Sequence, residues 1–79
     1  MLTSNKNRKF GADVDKLARI TYGYISEGAK YEEITTDDWF DNEVQSLMDK
    51  YPEGDFDKDM LKATIRREIK ALMKLNSMS

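Results

Sequence analysis

The chain has 79 residues, of which 35% are charged, with a formal net charge of −2 and with neither cysteine nor histidine. These absences exclude disulfides and cysteine-based zinc sites, and they remove histidine, the commonest general base and metal ligand. The sequence also has no apolar run long enough for a membrane span or a signal peptide, so we expect no membrane association and a cytoplasmic location.

The sequence predicts an all-α fold, a small three-helix domain preceded by a loose N-terminal arm. Residues 1–10 are polar and form the predicted arm, and residues 11–79 form the domain. The three basic residues of the arm are more typical of a solvated tail than of a phosphate-binding arm. We predict the first helix over about residues 12–26, with Asp13 as its cap and Gly28 as its stop. Its apolar face consists of Val14, Leu17, Ala18, Thr21, Tyr24 and Ile25.

The second helix is predicted over about residues 37–51, after a connector, residues 29–34, that lacks the alternation of a strand. Thr35 is the predicted cap, and Asp38 three residues later completes an approximate capping box. The apolar face of this helix consists of Phe40, Val44, Leu47, Met48 and Tyr51.

An acid-rich turn follows, with the only proline of the chain at Pro52 and a glycine at Gly54. We compared it with the twelve-residue calcium loop, whose ligands and central glycine have fixed positions. Aligning Gly54 with the central glycine puts Met60 at the last ligand, and starting the loop at Asp55 puts Arg66 there. Neither alignment fits, so we predict ordinary turn and capping chemistry and no metal site.

The third predicted helix, over about residues 57–75, has the clearest apolar stripe of the chain. Asp57 is its predicted cap, and Phe56 before the cap is expected to pack against Leu61 as a hydrophobic staple. Asn76 is the residue type that often closes a helix in the left-handed conformation. The stripe consists of Leu61, Ile65, Ile69, Leu72 and Leu75.

One acidic residue, Glu68, projects into the middle of this stripe, where an unpaired carboxylate is costly. Either a basic residue of another helix pairs with it, or the stripe is splayed and the carboxylate reaches water. A structural role is the favoured interpretation, because a single carboxylate without a partner acid or a metal cluster is weak evidence for chemistry.

Two aromatic residues are candidate contact residues for a partner, Trp39 and Tyr22. Trp39 lies outside the apolar face of the second helix, where an exposed indole is a typical binding hot spot. The alternative is a hydrophobic staple between Trp39 and Ile34. Tyr22 flanks the face of the first helix, so it is either a partly exposed contact residue or the rim of the core.

Charge is separated along the chain into basic, acidic and basic parts. Residues 1–26 carry five basic and two acidic residues, residues 27–59 carry three and twelve, and residues 60–79 carry five and one. The basic residues of the third helix form either a binding face or an internal complement to the acidic residues of its neighbour, Asp37, Asp41 and Asp49. The candidate basic face consists of Arg66, Arg67, Lys70 and Lys74.

These patterns favour a non-catalytic protein, a small helical adaptor, inhibitor or regulator that binds a protein partner without a cofactor. A thin core without disulfides also favours self-association as a homodimer. The alternative is a nucleic-acid-binding protein that contacts the phosphate backbone through the basic face of the third helix. Against it, the start of that helix carries Asp55, Asp57 and Asp59, which repel phosphates.

Overall fold

The computed structural model of the chain describes residues 2–52, 54 and 56–77, with side chains described from residue 9 onward. The described residues form four helices and no strand, so the predicted all-α class is confirmed. No helix among them is long and apolar enough to cross a membrane. The helices are α1 (Leu2–Ser26), α2 (Tyr31–Ile34), α3 (Asp38–Lys50) and α4 (Lys58–Ser77).

Helix α1 begins at Leu2, well before its predicted start near residue 12, so the backbone of the predicted arm is helical. One reason is visible at Phe10, which lies four residues before Val14 and extends the apolar face by one turn. The Phe10 ring stacks on the Phe56 ring, with centroids 4.3 Å apart and planes 6° apart. Lys9 is exposed, and the other basic side chains of the arm lie outside the described residues. The division into arm and domain stays a prediction.

The end of α1 is the one predicted from Gly28, the glycine with a positive φ, at 121°. The Gly28 amide donates to the Ile25 carbonyl at 3.0 Å, and the Ala29 amide donates to the Tyr24 carbonyl at 3.0 Å. This pair of bonds is the Schellman arrangement, which satisfies carbonyls at a helix end and reverses the chain.

The start of α3 corrects the predicted cap. Asp37 is the N-cap, and its Oδ2 atom accepts a hydrogen bond from the Trp39 amide at 2.9 Å. Thr35 is buried, and its hydroxyl donates to the Tyr31 carbonyl at 2.7 Å. The predicted cap is wrong because residues 31–34 form the single helical turn of α2, which places Thr35 at the end of one helix rather than at the start of the next.

The start of α4 agrees with the prediction from the sequence, and its end does not. At the start, Asp57 caps as predicted, because its Oδ1 atom accepts from the Asp59 amide at 3.0 Å. At the end, Asn76 does not close the helix in the left-handed conformation. It lies within α4, and its side-chain amide donates to the Leu72 carbonyl at 2.8 Å.

The helices surround a thin core. Helices α1 and α3 run antiparallel, because Asp13 meets Tyr51 at one end of the pair and Tyr24 meets Trp39 at the other. Helix α4 begins beside Phe10 and then follows α1 in the same general direction. The molecule measures 39 × 28 × 17 Å, and its smallest dimension is less than two helix diameters. The buried apolar residues are Val14, Leu17, Ala18, Phe40, Val44, Leu47, Leu61, Ile65 and Ile69.

The structure corrects two further predictions, Asp13 as a helix cap and Leu75 as a core residue. Asp13, predicted as the cap of the first helix, lies inside α1, and its Oδ2 atom accepts a hydrogen bond from the Tyr51 hydroxyl at 2.6 Å. This bond raises the pKa of the Tyr51 hydroxyl above its usual value, because a phenolate would face the Asp13 charge. Leu75, predicted in the core stripe, is 68% exposed because the buried part of α4 ends at Ile69.

Candidate interaction surfaces

The four residues of the candidate basic face divide into two pairs. Arg66 donates from Nη2 to the Thr35 carbonyl at 3.1 Å, and its guanidinium lies 6.0 Å from the centre of the Phe40 ring. Lys70 places its ammonium 5.3 Å from the centre of the Tyr31 ring. Both cations therefore hold the α2–α3 junction against α4, a cation–π and hydrogen-bond role within the fold.

The second pair, Arg67 and Lys74, is exposed on α4. Neither forms an ion pair or a side-chain hydrogen bond with the part of the chain that the structure describes. Of the predicted basic face, these two cations and Lys70, which is also exposed, are accessible to an external partner. At Tyr31, burial raises the pKa of the hydroxyl above its usual value, and the positive charge of Arg66 opposes that rise.

Helix α4 neutralises one acidic residue of α3, Asp41, and it does so through two lysines that lie outside the candidate basic face. Lys58 Nζ lies 2.8 Å from Asp41 Oδ2, and Lys62 Nζ lies 2.5 Å from Asp41 Oδ1. Hydrogen bonds from these lysines lower the pKa of the Asp41 carboxyl. The predicted charge complement between α3 and α4 thus exists, but it uses the first turns of α4 rather than the basic face.

The Asp41 pairs predict a pH-dependent stability. Because the folded-state pKa of Asp41 is lowered, its contribution is present above the unfolded pKa and is lost as pH falls through the folded value. The free energy of unfolding of Asp41→Asn, from urea titrations between about pH 6 and pH 2, is expected to approach that of the wild type as pH falls. The effect is modest, because the Asp41 side chain is 40% exposed and water screens the pairs.

Asp38→Asn is the matched control, because Asp38 also lies in the first turn of α3 and forms no ion pair among the described residues. The Asp38→Asn variant removes a negative charge near the positive end of α3 and keeps the lysine pairs of Asp41, so it reports the helix-dipole effect alone. An Asp41→Asn variant whose stability followed that of Asp38→Asn at every pH would contradict the ion-pair account.

The candidate anchor Trp39 is half-buried and packs edge-on against Tyr24, with ring centroids 5.4 Å apart and planes 88° apart. Since Asp37 caps α3, Trp39 does not occupy the position that a staple onto Ile34 requires. Tyr24 is 47% exposed, so the pair leaves one aromatic edge on the surface. Trp39 is therefore in part a contact between α3 and α1.

The second candidate anchor, Tyr22, is half-buried on α1. It lies two residues before Tyr24, and a separation of two residues places side chains on nearly opposite sides of a helix. The fold consequently does not gather Tyr22 and Trp39 into one surface. The sequence grouped them by residue type, and the direction of Tyr22 on α1, away from the Tyr24 side that Trp39 contacts, separates them.

A surface that the sequence reasoning missed lies along the seam between α1 and α4. Two clefts open there, of about 440 Å³ and about 220 Å³. The larger lies at the start of α4 and the smaller at its end, and one residue, Glu68, lines both. The larger cleft is lined by Phe10, Gly11, Val14, Phe56, Asp57, Met60, Leu61, Thr64 and Glu68. The smaller is lined by Asp15, Glu68, Ala71, Leu72 and Leu75.

On α4, the residues along this seam form a second stripe, beside the one that faces the core. Met60 at one end is 69% exposed and Leu75 at the other is 68% exposed. A signal was present in the sequence, because these residues recur at intervals of three and four, the spacing of one helix face. We call this set the lateral stripe: Met60, Thr64, Glu68, Ala71 and Leu75.

The sequence predicts that Glu68, at the centre of the lateral stripe, either pairs with a basic residue of another helix or reaches water. Its Oε2 atom does neither in the described structure. This oxygen is buried and has no hydrogen-bond partner in the described residues. The described side chains of α1 supply no base beside it, because those that line the two clefts are apolar, glycine or acidic. A buried carboxylate oxygen without a donor is costly to the fold, so its position calls for an explanation.

No group of three or more acidic side chains among the described residues could hold a metal ion. Two acids of the turn compared with a calcium loop, Glu53 and Asp55, lie outside the described residues. No protein-family model, no curated protein and no solved structure matches this chain.

Proposed function

We propose that this chain is a non-catalytic protein-interaction protein, a small adaptor or inhibitor, and that it binds its partner along the lateral stripe of α4. The observation that carries the proposal is the pair Met60 and Leu75, the two most exposed large apolar side chains in the described structure. Both lie on one face of one helix, at the mouths of adjoining clefts. Exposed apolar residues that share a face and adjoin a groove are typical of protein-binding sites.

The energetics support a helical or extended partner rather than a small ligand. Fully burying a leucine or methionine side chain contributes about 1.5–3 kcal/mol, so covering both ends of the lateral stripe is a substantial gain. The two ends are far apart, because Leu75 is fifteen positions after Met60 on the helix, a span of about 22 Å. A partner must reach across that span to use both residues.

The larger cleft offers little support for catalysis. The acids that line the larger cleft, the cap residue Asp57 and Glu68 on α4, are eleven positions apart in the chain. That separation is about 16 Å along the axis, whereas carboxylates that share a hydrolytic reaction lie within about 10 Å of each other. The nucleic-acid alternative has less support than the sequence suggested, because Arg66 and Lys70 already bind the α2–α3 junction.

Selection from a displayed library of helical peptides tests this proposal. The wild-type chain is expected to recover binders, and the double variant Met60→Asp/Leu75→Asp is expected to lose them by about tenfold or more, because each aspartate would be desolvated in the contact. Circular dichroism checks that the double variant is folded, as expected for two exposed positions.

Ile20→Asp is the matched control, an exposed apolar residue of α1 that lines neither cleft of the lateral stripe. It is expected to bind as well as the wild type. Recovery of no peptide, together with salt-sensitive binding to duplex DNA that Arg67 and Lys74 substitutions remove, would contradict the proposal and favour the nucleic-acid alternative.

A further inference from the structure

We propose that the partner segment is an amphipathic helix that presents an arginine or lysine between two apolar residues, and that its cation pairs with Glu68. The inference rests on the proposed function and adds the chemistry of the partner. It starts from the buried Oε2 atom of Glu68, which has no donor in the described residues.

The charges of the clefts favour a cation. Among the side chains that the structure describes, each cleft is lined by two acidic residues, Glu68 with Asp57 in one and Glu68 with Asp15 in the other, and by no basic residue. Asp15 is already paired with Arg19, whose Nε lies 2.8 Å from its Oδ2 atom. Glu68 is the acid that both clefts share, and one of its carboxylate oxygens lacks a donor. Because that oxygen is buried, the Glu68 side chain must turn outward into the cleft that it lines to meet an arginine or lysine, whose charge-assisted hydrogen bonds then satisfy the carboxylate.

The spacing of the lateral stripe sets the spacing in the partner. Glu68 lies eight residues after Met60 and seven before Leu75. A partner helix alongside α4 would therefore place one apolar residue seven or eight positions before its cation and one seven or eight positions after it. Seven residues are two turns, so all three side chains share one face of that helix. The small residues Thr64 and Ala71 leave room for close approach of its backbone.

A second copy of this chain does not fit the surface as well. An antiparallel pairing of two α4 helices along the lateral stripe has its centre at Glu68, because this residue lies midway between Met60 and Leu75. Two Glu68 carboxylates would then face each other, and like charges directly opposed are unfavourable. An acidic helix or a nucleic acid meets the same repulsion.

Three synthetic twenty-residue helical peptides test the inference, with leucines eight positions before and seven positions after a central residue that is arginine, glutamine or glutamate. Binding of each fluorescently labelled peptide to the whole chain is measured by anisotropy. The arginine peptide is expected to bind about tenfold more tightly than the glutamine peptide, and the glutamate peptide more weakly still. In Glu68→Gln, which keeps the shape of the side chain, the preference for arginine is expected to disappear.

The outcomes separate the inference from the proposed function. Equal binding of all three peptides, lost in Met60→Asp, overturns the role of Glu68 while the interaction surface stands. No binding by any of the three overturns the inference, and failure of the peptide library as well overturns the proposed function. A concentration-dependent dimer whose formation blocks the arginine peptide overturns the inference in favour of a second copy.

Two controls accompany the peptides. Glu68→Gln must give the wild-type circular dichroism spectrum, and Glu43→Gln, at another half-buried glutamate, must keep the preference for arginine.

Discussion

Phe40→Ala is expected to lower the free energy of unfolding by about 3–5 kcal/mol, the usual cost of removing a buried phenylalanine ring. Phe40 is the largest fully buried side chain, and it lies in the centre of a core only a few residues wide. A domain of this size has a total stability of about 4–12 kcal/mol, so the loss is a quarter of it or more. The Arg66 guanidinium would also lose the ring beneath it.

Urea unfolding followed by circular dichroism measures this change, and Trp39 fluorescence reports separately on α3. Met60→Ala is the control, because it removes an apolar side chain that is 69% exposed. Its expected effect is within about 0.5 kcal/mol, as for most surface substitutions. A Phe40→Ala variant that unfolds at the same urea concentration as Met60→Ala would show that α3 does not hold the core as described.

Glu68→Leu is expected to act in the opposite direction and to raise the free energy of unfolding by about 1–3 kcal/mol. The substitution removes a carboxylate whose Oε2 atom is buried without a donor, and an unsatisfied buried polar group costs about that much. It also places an apolar side chain between the core stripe and the clefts. Glutamate and leucine have similar helix propensities, so the backbone contributes little to the difference.

The matched control is Glu43→Leu, at a half-buried glutamate of α3 where no carboxylate oxygen is both buried and unpaired. Its stability is expected to stay within about 0.5 kcal/mol of the wild type. The two variants are compared by thermal and urea unfolding at pH 7. If Glu68→Leu were the less stable of the pair, Glu68 would have a stabilising partner, and the partner-binding role argued for it would lose its basis.

Sequence periodicity predicts the three long helices because the apolar faces of α1, α3 and α4 repeat with the helical period. The cap at Asp57 follows the sequence as well, since it depends only on its neighbours. The cap of α3 was missed because Thr35 and Asp37 are both capping residue types. The choice between them depends on the turn of α2, which buries Thr35 beneath Arg66.

The candidate site was predictable only in part. The position of Glu68 within an apolar stripe follows from the sequence, but its lack of a partner depends on which residues α1 brings to the seam. The exposure of Met60 and Leu75 likewise depends on how far α1 covers α4. The sequence predicts the basic face as one surface. Arg66 and Lys70 instead reach back to a segment about 35 residues away in the chain, which spacing along one helix does not reveal.

The shared direction of α1 and α4 has a kinetic consequence. Contacts near the connections between successive helices close short loops: Tyr24 with Trp39, fifteen positions apart, and Asp41 with Lys58, seventeen positions apart. The contact of Phe10 with Phe56 across the seam joins residues 46 positions apart, and the larger loop-closure entropy makes such a contact slower to form. The release of α4 from α1 at this seam is therefore expected early in unfolding, and its docking there late in folding. A protein bound across the seam would slow that release and extend the lifetime of the native state.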